Sequence, residues 1–154
     1  MPIFDEPLTA NEITSFLRVL NDHANLTING WCDTDDPDYA RSRALIFTPP
    51  SQAGFKRALQ FLEHVPVRQT LKREHSALWW SHVARRAFRR QHNCYDFGHI
   101  DASLDDLGIG FISKGIFIAA SLAKGVTVFT SLTSHETFVN LSVRGYSMAS
   151  TPMG

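Results

Sequence analysis

Between residues 92 and 101 the chain carries His92, Cys94, His99 and Asp101, four side chains of the kind that zinc binds tetrahedrally. Each pair is separated by a single residue, whereas the familiar sites separate paired ligands by about two to five. In an extended segment, alternate side chains also point to opposite sides. The spacing therefore predicts an unliganded loop. A nucleophile built from Cys94 or Cys32 and one of the seven histidines would have to assemble in space, and no local signature accompanies either cysteine. A small cysteine/histidine hydrolase or transferase using Cys94, His92 or His99 is the third-ranked reading.

The loop Asp33-Thr34-Asp35-Asp36-Pro37-Asp38 begins like a calcium-binding loop. Pro37 stands where a third ligand belongs and no glutamate closes the site, so a solvated acidic contact loop (Asp33, Asp35, Asp36, Asp38) is expected. Gly108-x-Gly110-x-x-Ser113 has the outline of a dinucleotide fingerprint, but Ser103–Leu107 is a poor version of the strand that must precede one. Lys114 precedes Gly115 rather than following it, which excludes a Walker loop. The glycines read instead as a tight entry into a buried helix. Neither metal nor cofactor is expected.

The most informative surface element is a helix expected over about Leu71 to Gln91. At 100° per residue, Trp79, Trp80, Val83, Ala84, Ala87 and Phe88 gather on one side, and His75, His82, Arg85, Arg86 and Arg89 gather opposite. Four arginines (Arg85, Arg86, Arg89, Arg90) in the last two turns suit the negative end of the helix dipole, which explains them as a solvated face. The sharper reading is a ridge for phosphates or an acidic partner, comprising Arg85, Arg86, Arg89, Arg90 and His82, extended by Lys72 and Arg73.

The elements that must position these groups are legible to different degrees. The 154 residues suit one domain over about 1–146 with a mobile tail over 147–154. Lysine plus arginine equals aspartate plus glutamate, so whole-molecule steering towards nucleic acid or acidic membranes is not predicted. Two cysteines make no disulfide framework, and no signal peptide or membrane-spanning run is present, so a cytoplasmic location is expected. Ile116 to Ala123 is apolar almost all the way round a helix and is the expected centre of the core. Ser113 can cap its start, and Gly125 sits where a left-handed residue ends it.

Ahead of it, Thr9 and Glu12 form a capping box with Leu8 and Ile13 as staple, opening a helix to about Ala24 with Ile13, Phe16, Leu17 and Leu20 inward. Leu26–Cys32 suits a short strand, although Asn29-Gly30 could equally turn the chain. Ala44–Thr48 reads as a strand, and Pro49-Pro50 open a helix over about 51–64 that buries Phe55, Ala58, Leu59 and Leu62. Val126, Val128, Thr130 and Leu132, then Val139, Leu141 and Val143, alternate as the strands of a hairpin. The class is α+β: three to four helices around the central one, packed on a small antiparallel sheet.

Two segments carry a resemblance. His75–Arg85 (HSALWWSHVAR) resembles a Ser-Ser-Tyr-x-Leu-Lys-His-x-Ala-Glu helix. Phe111–Leu122 (FISKGIFIAASL) resembles Tyr-Ile-Ser-Asn-Gly-x-Phe-Ile-Ala-Ala-Ala-Leu. In this order, with a following hairpin bearing Phe138 and Asn140, residues 75–143 are similar to small uncharacterised proteins of bacterial phages, plasmids and integrated elements. The match lies at Ser76, His82, Ser113, Gly115, Phe117, Ile118, Ala119 and Ala120, and departs at Leu78, Trp80, Ser81, Arg85 and Lys114. The resemblance implies a setting: a non-enzymatic protein in a bacterial cytoplasm that occludes a host nucleoprotein or defence complex, of the anti-CRISPR or anti-restriction type. Direct nucleic-acid binding through the arginine helix is the alternative, and no membrane partner is expected.

Overall fold

The computed structural model describes residues 7–67, 75–91, 110–130 and 136–142. Among them the chain forms an α+β fold of five helices and two two-stranded antiparallel sheets.

Helix α1, Ala10–Asp22, starts on the capping box. Glu12 N–H donates to Thr9 Oγ1 at 3.2 Å, and Thr9 N–H donates to Glu12 Oε1 at 2.8 Å. Its buried residues are Phe16, Val19 and Leu20, whereas Ile13 and Leu17 are 38% and 42% exposed. The inward stripe is thus rotated towards Val19 relative to the expected one. No basic residue ends the helix, and Arg43 supplies the missing donors from outside. Its guanidinium donates to the carbonyls of Leu20 (2.7 Å) in the last turn of α1, of His23 (3.1 Å) at its C-cap and of Leu26 (2.7 Å) in the strand that follows. It thereby ties the helix end, which leaves carbonyls unbonded, to the next element.

Glu12 is used twice. Lys56 Nζ, on a side chain buried under α1, reaches its carboxylate oxygens at 2.8 and 3.0 Å. Burial opposes ionisation of this carboxyl, but the Lys56 and Thr9 hydrogen bonds and the Lys56 charge outweigh it, holding the group below the usual 4.5. A carboxyl that ionises more readily in the folded than in the unfolded chain stabilises fully above the unfolded value, and that contribution is lost as pH falls through the folded one. Lys56→Met is therefore expected to destabilise at pH 7, and urea titrations at pH 3 should show the gap to the unmodified chain narrowing.

Strands β1, Leu26–Thr27, and β2, Gly30–Trp31, form a hairpin in which Thr27 pairs with Gly30. The turn falls on Ile28-Asn29 rather than Asn29-Gly30, held by Thr27 Oγ1 donating to Gly30 O at 2.8 Å. Gly30 has φ +102°, a value that favours glycine. The expected strand at Ala44–Thr48 is not one. Residues 39–46 form helix α2, Tyr39–Ile46, which places Ser42 and Ile46 inward at a four-residue spacing. A short apolar run such as Ala-Leu-Ile-Phe has no period of its own, and here Leu45 and Phe47 face solvent. Helix α3, Pro49–Leu62, begins on its two prolines and buries Phe55, Ala58, Leu59 and Leu62 as expected.

Helix α4 is Ala77–Gln91. Just before it, Ser76 is extended and bridges Phe138, so the helix begins later than the predicted Leu71; residues 71–74 lie outside the described set. Helix α5, Lys114–Ala123, is capped by Ser113, whose Oγ accepts from Ile116 N–H at 3.1 Å, and Gly125 follows it at φ +76°. Ile116 to Ala120 have no solvent exposure. Helices α1, α3 and α4 and strands β1, β2 and β3 (Val128–Thr130) all pack on α5, which is why it carries no polar face. An aromatic run, Phe117–Phe61–Trp80 at 6.1 Å per step, joins α5, α3 and α4.

Strand β4, Thr137–Val139, pairs with β3 in the predicted hairpin. All three of its residues are buried, not alternate ones, because Ser76 closes its other edge and α4 packs beside it. Leu132 and Val143 lie outside the described residues. No helix among the described residues is long and apolar enough to cross a membrane.

Candidate functional site

The solvent side of α4 is narrower than the sequence pattern suggested, and different in make-up. Ala77, Trp80, Ser81, Val83, Ala84, Arg85 and Phe88 are buried and span about 200° of the helix. Arg85, expected on the exposed ridge, is 8% exposed. The chain at Gly110 lies against its flank, so close that a methyl on that glycine would sit 3.4 Å from the Arg85 carbonyl and 3.2 Å from the Phe88 ring.

Within the remaining sector, an arc of about 120° holds Leu78, His82, Arg86 and Arg90, all exposed, with Trp79 and Arg89 half-buried. His82, Arg86 and Arg90 follow one another at four-residue steps along a single stripe, and none makes an ion pair with another described residue. Trp79 belongs to this stripe as well. It was expected among the buried side chains and is half-buried, packed against the core, while at 100° per residue it lies only about 20° from Arg86. His75 stacks on it, ring centroids 3.6 Å apart and planes 13° from parallel, and the edge of Trp79 rests against buried Trp80 at 5.1 Å and 86°. His75 precedes the helix, so its contact with Trp79 follows from how the chain enters α4 and not from helical spacing. Lys72 and Arg73 lie outside the described residues.

The acidic loop is built separately, at the open end of the β1–β2 hairpin. Cys32 N–H donates to Asn25 O at 2.8 Å, Asp36 N–H to Asp33 O at 3.0 Å, and Asp38 N–H to Asp36 Oδ1 at 2.8 Å. Tyr39 Oη donates to Ala24 O at 2.6 Å and fixes the far end. Asp33, Asp35, Asp36 and Asp38 are all exposed. A cleft of about 360 Å³ opens beside them, between the two hairpins, with Trp31 and Lys114 in its wall.

Cys32 lies on this cleft. Burial, and then the charges of Asp36, Asp33 and Asp38, push its thiol pKa up, which lowers its thiolate fraction at neutral pH and makes it a poor nucleophile. Cys94, His92, His99 and Asp101 lie outside the described residues. Among the described residues no three His, Cys, Asp or Glu side chains converge on a point where a metal ion could be held.

The basic stripe and the acidic loop sit on different parts of the fold: α4 packs on α3, α5 and β4, whereas the β1–β2 hairpin packs on α2 and α5. Comparison with known proteins finds no matching family model, no similar curated protein and no similar solved structure.

Proposed function

We propose that the protein is a non-enzymatic binding protein of a phage or other mobile element that occludes a host nucleoprotein or defence complex, in the manner of an anti-CRISPR or anti-restriction inhibitor. The mobile-element setting rests on the resemblance of residues 75–143. The observation that carries the mode of action is the segregation of charge. A chain of zero formal net charge displays exposed cations along one helix and four exposed carboxylates on a loop carried by other elements. A nucleoprotein offers both complements, an anionic phosphate backbone and the basic protein surface that holds it. Opposite patches on one rigid fold suit occlusion, because complementary potentials set register and reject wrong partners more than they add raw affinity.

The test is capture of the tagged full chain's partners from lysate of a bacterial host, with and without nuclease, beside a chain carrying Asp33, Asp35, Asp36 and Asp38 all changed to Asn. A stoichiometric nucleic-acid-binding protein that survives nuclease and is lost from the Asn variant is expected. Recovery of nucleic acid alone, released at moderate salt, would replace this reading with direct nucleic-acid binding.

A further inference from the structure

We propose that the exposed sector of α4 takes an unpaired nucleic-acid strand, with a base on the His75–Trp79 ring pair and phosphates on Arg86 and Arg90. The proposal rests on the occlusion reading and names which component of the nucleoprotein this face would meet.

Three features of the sector point the same way. The first is the ring pair itself. The two rings are already parallel at 3.6 Å, and Trp80, which is buried, props Trp79 edge-on, so the platform is oriented before any ligand arrives. Bases stack on aromatic side chains whatever their identity, because every base has a π-face. The second is alignment. From Trp79 to Arg90 the helix rises about 16 Å, with His82 and Arg86 between, so rings and guanidinium groups share one line. A fully stacked strand would place about five nucleotides along that length at 3.4 Å each, and an unstacked strand, longer per nucleotide, places fewer.

The third feature is chemical. An acidic protein surface would satisfy the cations and leave the ring pair without a partner of its own kind. A duplex would meet the arginines with its phosphates but keep its bases stacked inside. A strand with splayed bases uses both halves of the sector with one repeating unit, the base on the rings and the phosphate on the guanidinium groups. Zero net charge limits long-range attraction, so affinity must come from these local contacts.

The experiment is fluorescence polarisation of labelled oligo-dT, its RNA counterpart oligo-rU and a duplex of equal length, titrated with the full chain. Single strands are expected to bind about tenfold or more tightly than the duplex. Their affinity should fall with salt at a log–log slope of about −0.7 per neutralised phosphate, and Arg86→Ala and Arg90→Ala should each reduce that slope. His75→Ala should weaken binding by about fivefold or more, and His75→Phe should keep it, since the ring rather than the imidazole nitrogens does the stacking. Trp79 also props against Trp80, so circular dichroism must show any Trp79→Ala chain folded before its affinity is read.

Equal affinity for duplex and single strand, or indifference to His75→Ala, would overturn the stacking assignment. Absence of binding to all three probes would overturn the proposal as a whole. A preparation that fails in this way yet still captures a protein partner from lysate would separate that failure from the occlusion reading, which would stand.

Discussion

Gly115→Ala is expected to destabilise the protein by about 3 kcal/mol or more, although glycine-to-alanine changes inside helices ordinarily stabilise by about 0.5–1 kcal/mol. Gly115 is the second residue of α5, where the helix crosses the β1–β2 turn at backbone contact. Its N–H donates to Ile28 O at 3.1 Å. A methyl group there would overlap the carbonyl oxygen of Thr27 and stand 2.9 Å from the carbonyl carbon and oxygen of Ile28. All three obstacles are main-chain atoms, so no rotamer change relieves them. Either the hairpin or the helix must move, and Leu26, Thr27 and Ile28, all buried against the core, move with it. The sign of the effect is therefore diagnostic. A lower urea midpoint confirms the close crossing, whereas a neutral or raised midpoint would mean that α5 and the hairpin do not touch there.

That crossing also shows where sequence reading stops. The core helix was legible because Ile116 to Ala123 lacks a polar face, whereas the packing role of Gly115, just before that run, was not. Its role depends on the hairpin at Thr27–Ile28, nearly ninety positions away, and no local pattern records that the two meet. The capping box at Thr9–Glu12, the prolines opening α3 and the Ser113 cap are local devices, and each lies where its residues predict. Ala44–Thr48 failed for the opposite reason. Its four apolar residues fit a strand or the last turn of a helix, and the choice was made by Ser42 and Ile46 facing inward together.

The basic helix fell between these cases. Periodicity separated a buried from an exposed side, but Arg85 and Trp79 both sit near the boundary between them. The chain at Gly110 packs on the flank where Arg85 is buried, and on the opposite flank Trp79 is half-buried and stacked against His75. The candidate face is consequently smaller in charge and richer in aromatic surface than a count of arginines implies.

Phe117→Ala is expected to cost about 3–5 kcal/mol, the usual range for emptying a fully buried phenylalanine site. Phe117 has no solvent exposure, and its ring is 6.1 Å from that of Phe61, which continues the contact to Trp80 on α4. Neighbours Ile116, Ile118, Ala119 and Ala120 are equally buried and held by elements on several sides, so the site cannot collapse cheaply around the gap. Against a total stability of about 5–15 kcal/mol for a domain, that loss is a large share, and at the low end of the range it leaves an appreciable unfolded fraction. Leu122→Ala, at a half-buried position of the same helix, should cost clearly less. Urea titration of the two variants tests this directly, and a Phe117→Ala cost under about 1 kcal/mol would place the centre of the core elsewhere. The comparison also calibrates the functional tests. Any binding lost through Phe117→Ala should follow the unfolded fraction and return with stabilising osmolyte, whereas Arg86→Ala and Arg90→Ala alter exposed side chains and should weaken binding in a fully folded chain.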